Sequence, residues 1–204
     1  RDIADFWRRW HISLSTWFRD YLYIPLGGSQ GGKLSKIRNT FIIFIVSGFW
    51  HGANWTFIIW GVLNALYFLP LLLLGENRSN LGVVAENSFF PSVLEIFKIL
   101  LTFILTVIGW VFFRADSVSH AIQYLSCLFD YSLFESLEVN IPRRLYALIG
   151  LSIGIEWIMR REEYGFKINS LIDNRFLRWL CYLCVCYLIF WFAGKPQEFV
   201  YFQF

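Results

Sequence analysis

Charge is scarce in this chain. Of its 204 residues only 16% are Asp, Glu, Lys or Arg, where a soluble domain averages about 25%. Hydrophobic residues make up 57% and aromatics 21%, and the mean hydropathy is +0.50. That balance excludes an ordinary water-soluble domain and indicates a membrane protein. The charges nearly cancel: 18 Lys and Arg against 15 Asp and Glu leave a net +3. So small a surplus gives no basis for nucleic-acid binding, and the basic residues sit beside apolar segments rather than along one polar face. Cysteine is also sparse. Cys181, Cys184 and Cys186 fall in "WLCYLCVCYLIFW" and Cys127 is remote. With no second ligand cluster nearby, their CxxC spacing reads as small apolar filler in a membrane helix, and no metal site is expected. A signal-peptide pattern is lacking, and the chain opens on Arg1 rather than Met. It reads as the C-terminal part of a longer protein.

Two catalytic signatures are incomplete. In "GGSQGGK" the residues Gly27, Gly32 and Lys33 have the spacing of a phosphate-binding loop. Leu34 stands where Ser or Thr must hold magnesium, however, and no strand precedes the loop. A glycine-rich turn at the membrane surface is the better reading. No G-x-S-x-G nucleophile elbow accompanies Ser47, so a serine hydrolase is not indicated.

What the chain has is long apolar runs. A hydrocarbon core about 30 Å thick takes roughly 20 apolar residues of helix. Ile37 to Leu74 is too long for one pass and should be two, broken near "HGAN". The first, Ile37 to Trp50, is short enough to be re-entrant. Val93 to Phe113, entered through Pro91 and Ser92, is a third segment. Leu145 to Met159 and Phe176 to Ala193 are a fourth and fifth. The expected fold is therefore an all-α polytopic membrane protein with about five membrane segments. Residues 1–36 precede them as an interfacial helix and glycine-rich turn, and 37–204 hold the segments and loops. If all five cross, nearly all Lys and Arg fall on one side, with Arg114, Arg143, Arg144 and Lys195 on the other. The first side is then cytoplasmic.

The opening stretch, "RDIADFWRRWHISLSTWFRDYLYIPLGG", carries too much charge to span. On a helical wheel Phe6, Trp7, Trp10, Leu14, Trp17, Phe18 and Tyr21 share one side, and Arg8, His11, Ser15 and Arg19 another. This pattern predicts an amphipathic helix at the membrane interface. Asp2 or Asp5 would cap it, and Pro25 with Gly27 and Gly28 would end it. Arg8 and Arg19 are either a solvated face or partners for phosphates of lipid or of an acyl carrier. His11 either bonds Ser15 one turn on or serves chemistry.

"SGFWHGANW", Ser47 to Trp55, puts a histidine inside the longest apolar run. A polar group in hydrocarbon costs several kcal/mol unless satisfied. Such residues face a bundle interior or a watery cavity, and are candidate functional sites. His51 is thus either a hydrogen-bonded packing residue or a general base, since imidazole titrates near neutrality. If the helix runs through, Ser47, His51 and Asn54 share a face. If it breaks at Gly52, His51 sits at a helix end.

"FWRRWHISLSTWFRDYLYIPLGG" together with "SGFWHGANWTFIIWG" resembles the C-terminal half of the membrane-bound O-acyltransferases, closest to their alginate O-acetyltransferase branch. "GWVFFRADS" (Gly109 to Ser117) and the terminal "FVYFQF" resemble that branch too. The resemblance implies a single polytopic domain in the bacterial inner membrane, with a tunnel meeting near mid-membrane. It maps the family's two histidines onto His51 and His11. It implies transfer of an acyl group, usually acetyl, from a cytoplasmic donor such as acetyl-CoA toward hydroxyls of an extracytoplasmic polysaccharide such as alginate. No bound cofactor is implied, and a periplasmic or surface acetyltransferase partner completes the transfer. On this reading Asn54 orients His51, and Arg8, Arg9, Arg19 and Ser15 position the carrier or substrate. The chain alone, lacking the family's N-terminal spans, is expected to be inactive. The alternative is a conduit that passes the acyl group to a partner enzyme, with His51 lining the path.

Overall fold

The computed structural model describes residues 1–128, 142–161 and 172–192. They fall in two compact units, Arg1–Asn140 and Ile141–Phe204. Every regular element among the described residues is helical.

In the first unit the helices are α1 (Ile3–Arg9), α2 (Ile12–Phe18), a π-helical turn (Arg19–Tyr23), α3 (Gly32–His51), α4 (Trp55–Leu74), α5 (Val93–Arg114) and α6 (Val118–Cys127). The second unit holds α7 (Arg143–Ile158) and α8 (Arg175–Trp191). Helices therefore occupy all five segments picked out by apolar length. Two of them, α4 and α5, are long and apolar enough to cross a membrane. The end of the fifth segment, Lys195 and the terminal "FVYFQF" lie outside the described residues.

The long apolar run breaks where its length required. α3 ends at His51, Gly52 takes φ 153 and ψ 157, and Asn54 caps α4 by accepting a hydrogen bond from the Thr56 amide at 3.1 Å. α3 and α4 form an antiparallel hairpin in close backbone contact. A Cβ on Gly48 would run into the Phe57 carbonyl, and one on Gly61 into the Phe44 carbonyl. α5 starts at Ser92 in a capping box with Glu95, then returns along α4. Gly109 faces Trp60 and Asn64 across that seam.

One expectation about the opening stretch is corrected. It is not a continuous interfacial helix. Asp2 caps α1, as one of the two expected candidates. The helix then stops at Trp10, which is extended, and His11 takes a left-handed conformation at φ 46, ψ 50. Tertiary packing overrides the helical period here: the Trp10 ring lies 5.9 Å from Phe6 and 5.6 Å from Trp110 of α5. Ser15 Oγ donates to the carbonyl of Trp10 at 3.5 Å, answering a backbone group that the break sets free.

Candidate functional site

The sequence marked His51 and His11 separately, and the fold sets both against α5. His51 ends α3 with its ring beside Phe113. His11 forms the turn between α1 and α2, next to Trp10, which packs on Trp110 one turn away from Phe113. Around the His51 imidazole stand four aromatic rings. Trp50 and Phe113 have centroids at 4.8 Å, Trp60 lies at 5.5 Å with its plane nearly perpendicular, and Phe57 lies at 6.3 Å. His51 Nδ1 is buried and has no hydrogen-bond partner among the described residues. The same is true of the Thr56 hydroxyl just past the turn. Buried polar atoms are nearly always satisfied, so an orphaned imidazole nitrogen calls for a functional reason.

Asn54 has other duties than orienting His51. Its carbonyl oxygen caps α4, and its Nδ2 donates to the backbone carbonyl of Asp116 at 3.3 Å. This ties the His51 turn to the α5–α6 connection.

The arginines divide into different tasks. Arg8 donates to the carbonyls of Asn77 and Asn80 at 2.8 and 2.9 Å. Arg9 donates to Asp5 and to the Gly82 carbonyl, both at 2.8 Å. Together they fasten α1 to the loop after α4. Burial pushes the Asp5 carboxyl up, while the hydrogen bond and charge of Arg9 pull it down. Arg19 pairs with Asp20 at 2.7 Å, and that bond lowers the Asp20 carboxyl.

A cleft of about 460 Å³ lies beside α1 and α2. It is lined by Arg8, Arg19 and Arg78, by the hydroxyls of Ser15, Thr16, Tyr23 and Ser29, and by apolar side chains including Trp7, Phe44 and Phe68. Neither His11 nor His51 lines it. The Trp7 ring, which does, is 5.8 Å from Trp60, and Trp60 in turn contacts His51. Sequence reasoning missed Arg78, which stands alone in a loop with no periodicity to mark it. Arg9 is not among the lining residues.

The sequence model of the membrane-bound O-acyltransferase family matches residues 1–115, which hold both histidines, the cleft and helices α1 to α5. The chain belongs to that family. Among curated relatives, a probable alginate O-acetylase of Pseudomonas aeruginosa is 41% identical over 154 residues, covering 76% of this chain and 27% of the relative. Its counterpart in Pseudomonas syringae pv. tomato is 41% identical over 175 residues, covering 86% and 31%. A peptidoglycan O-acetyltransferase of Helicobacter pylori is 32% identical over 206 residues, covering 98% and 34%. The chain thus spans about a third or less of the length of these relatives. No solved structure matches it.

The described residues thus hold an imidazole packed among four rings, with its Nδ1 unpartnered among them, and a separate cleft that combines three arginines with apolar side chains.

Proposed function

We propose that the full-length protein is a multi-pass inner-membrane O-acyltransferase. It moves acetyl groups from a cytoplasmic donor, acetyl-CoA or another acyl carrier, toward hydroxyls of an extracytoplasmic polysaccharide such as alginate. The observation that carries this reading is the Nδ1 of His51, buried among four rings and unpartnered among the described residues, in a chain of this family. The names of the relatives support acetyl as the group and a cell-envelope glycan as the acceptor.

In this mechanism His51 takes the proton of the acceptor hydroxyl. The hydroxyl oxygen attacks the thioester carbonyl carbon, a C–O bond forms, and the C–S bond breaks. The proton then leaves with the thiolate. His11, held at the α1–α2 turn, assists from the second side. Arg8, Arg19 and Arg78 receive the phosphates of the carrier, with Ser15 among the hydroxyls beside them, and the acyl end points inward past Trp7. A periplasmic or surface partner finishes delivery to the glycan, and lipids cover the apolar outer faces.

The test is His51→Ala in the full-length protein, with envelope O-acetyl content as the readout. Acetylation should fall to background at normal protein abundance, and undiminished acetylation would overturn the catalytic role. Purified protein given radiolabelled acetyl-CoA without its partner separates an enzyme from a conduit. An enzyme yields labelled protein or released acetate, while a conduit yields neither.

A further inference from the structure

Asn64 lies in the middle of α4, one of the two helices long and apolar enough to cross a membrane. It is only 4% exposed. An amide in such a place must find partners within the protein. Its Nδ2 donates to the Trp60 carbonyl one turn back, at 2.8 Å. Its Oδ1 accepts from the indole nitrogen of Trp7, at 3.2 Å. The second bond crosses from α4 to α1, the short helix that delivers His11.

The rings continue the connection. Trp7 lies edge-on to Trp60 at 5.8 Å and to Phe44 at 5.5 Å. Trp60 lies edge-on to His51 at 5.5 Å and touches Phe113 at 5.3 Å, and Phe113 is itself 4.8 Å from His51. Gly109 of α5 lies against the other side of this seam: a Cβ there would be in ordinary contact with the Trp60 ring, at 3.5 Å. Trp60 is 4% exposed, so it has little freedom to move except with these neighbours. A leucine in place of Asn64 would fill similar volume without a polar group to satisfy. The amide therefore does something packing does not require: it fixes the azimuth of the Trp7 ring against Trp60.

We propose that Asn64 is a positioning residue of the acyl-transfer site. Acting through Trp7 and Trp60, it sets the plane of His51 and the placement of the α1–α2 turn that carries His11. The proposal rests on the transferase reading given above.

Two variants of the full-length protein break the same bond from opposite sides. Asn64→Leu removes the amide, and Trp7→Phe keeps an aromatic ring but removes the N–H. Each should lower kcat about 10- to 100-fold, the scale expected when a reacting group is misplaced by about an ångström. In Asn64→Leu, whose side chain does not line the cleft, the KM for the donor and the thermal midpoint should stay within error of wild type. The double variant should be no worse than the worse single, because both remove one interaction. Labelling of His51 and His11 by diethyl pyrocarbonate, followed by mass spectrometry, needs no activity and should change at least threefold in rate in both variants. Unchanged kcat and labelling in Trp7→Phe would overturn the proposal, as would additive losses that track a lowered midpoint. If wild type transfers no acyl group while labelling still responds, the clamp stands and the transferase reading fails.

Discussion

Gly52 decides where His51 can stand. Its backbone, at φ 153 and ψ 157, lies in a region essentially reserved for glycine. That single conformation ends α3 at the histidine and lets Asn54 begin α4. Without it, α3 would run on past the imidazole, and the turn that brings Phe57 and Trp60 of α4 back against it would be lost. Gly52→Ala should cost about 1–3 kcal/mol of local strain and swing His51 out of register. The expected result is strongly reduced acetylation with the protein still inserted, followed by envelope O-acetyl assay and immunoblot. His11 carries related strain, being one of two non-glycine residues with positive φ among those described. Backbone strain of this kind collects at functional positions, and here it falls on a histidine.

At the level of helices, the α3–α4 hairpin is the scaffold on which the site is built. Gly48 and Gly61 let the two backbones touch, each opposite a carbonyl of the other helix. In a membrane, where burial of apolar surface gives helices no net attraction for each other, such small-residue contacts supply the packing. Gly61→Ala should push the helices apart and lower stability by about 1–3 kcal/mol, read as a lower midpoint in a detergent-solubilised thermal melt. A substitution at an exposed site of the same helix, such as Leu66→Ala, should shift it far less. α1 and α2 behave differently. They are seven residues each, too short to be stable alone. α1 is held by side-chain bonds from Arg8 and Arg9 to the loop after α4, and by ring contacts of Trp7 and of its cap Trp10 with α4 and α5.

Across the described molecule, polarity is concentrated where function is proposed. α5 keeps only 11% of its most apolar window buried and α4 only 22%, so much of their surface is built for lipid or for further spans. Against that background the arginine-lined cleft is an exception. Arg78 belongs to it only because the α4–α5 loop folds back onto α1 and α2. Arg78→Ala should raise the KM for the acyl donor about tenfold, the value of one charge-assisted hydrogen bond, with kcat little changed. A kinetic assay on reconstituted full-length protein checks this, and an unchanged KM would remove Arg78 from the donor site.

The legible part of the site was chemical and local. His51 announced itself as a titratable group in hydrocarbon, and the apolar run around it was too long to lack a break. Pro91 and Ser92 announced the start of α5. Arg78 and Asn64 were not legible. One is a lone charge in a loop and the other a lone amide in an apolar helix, and neither gains meaning until a distant segment reaches it.

Amino-acid order alone determined that the chain is helical, apolar and membrane-bound, because hydropathy and the 3.6-residue period are properties of neighbours along the chain. Only the tertiary structure decided that the opening stretch breaks at His11, that four rings close around His51, and that Trp7 is held by Asn64. Those outcomes depend on contacts between residues far apart along the chain, such as Trp10 with Trp110 and Trp7 with Asn64. No local pattern records which of several aromatic surfaces will win such a contact.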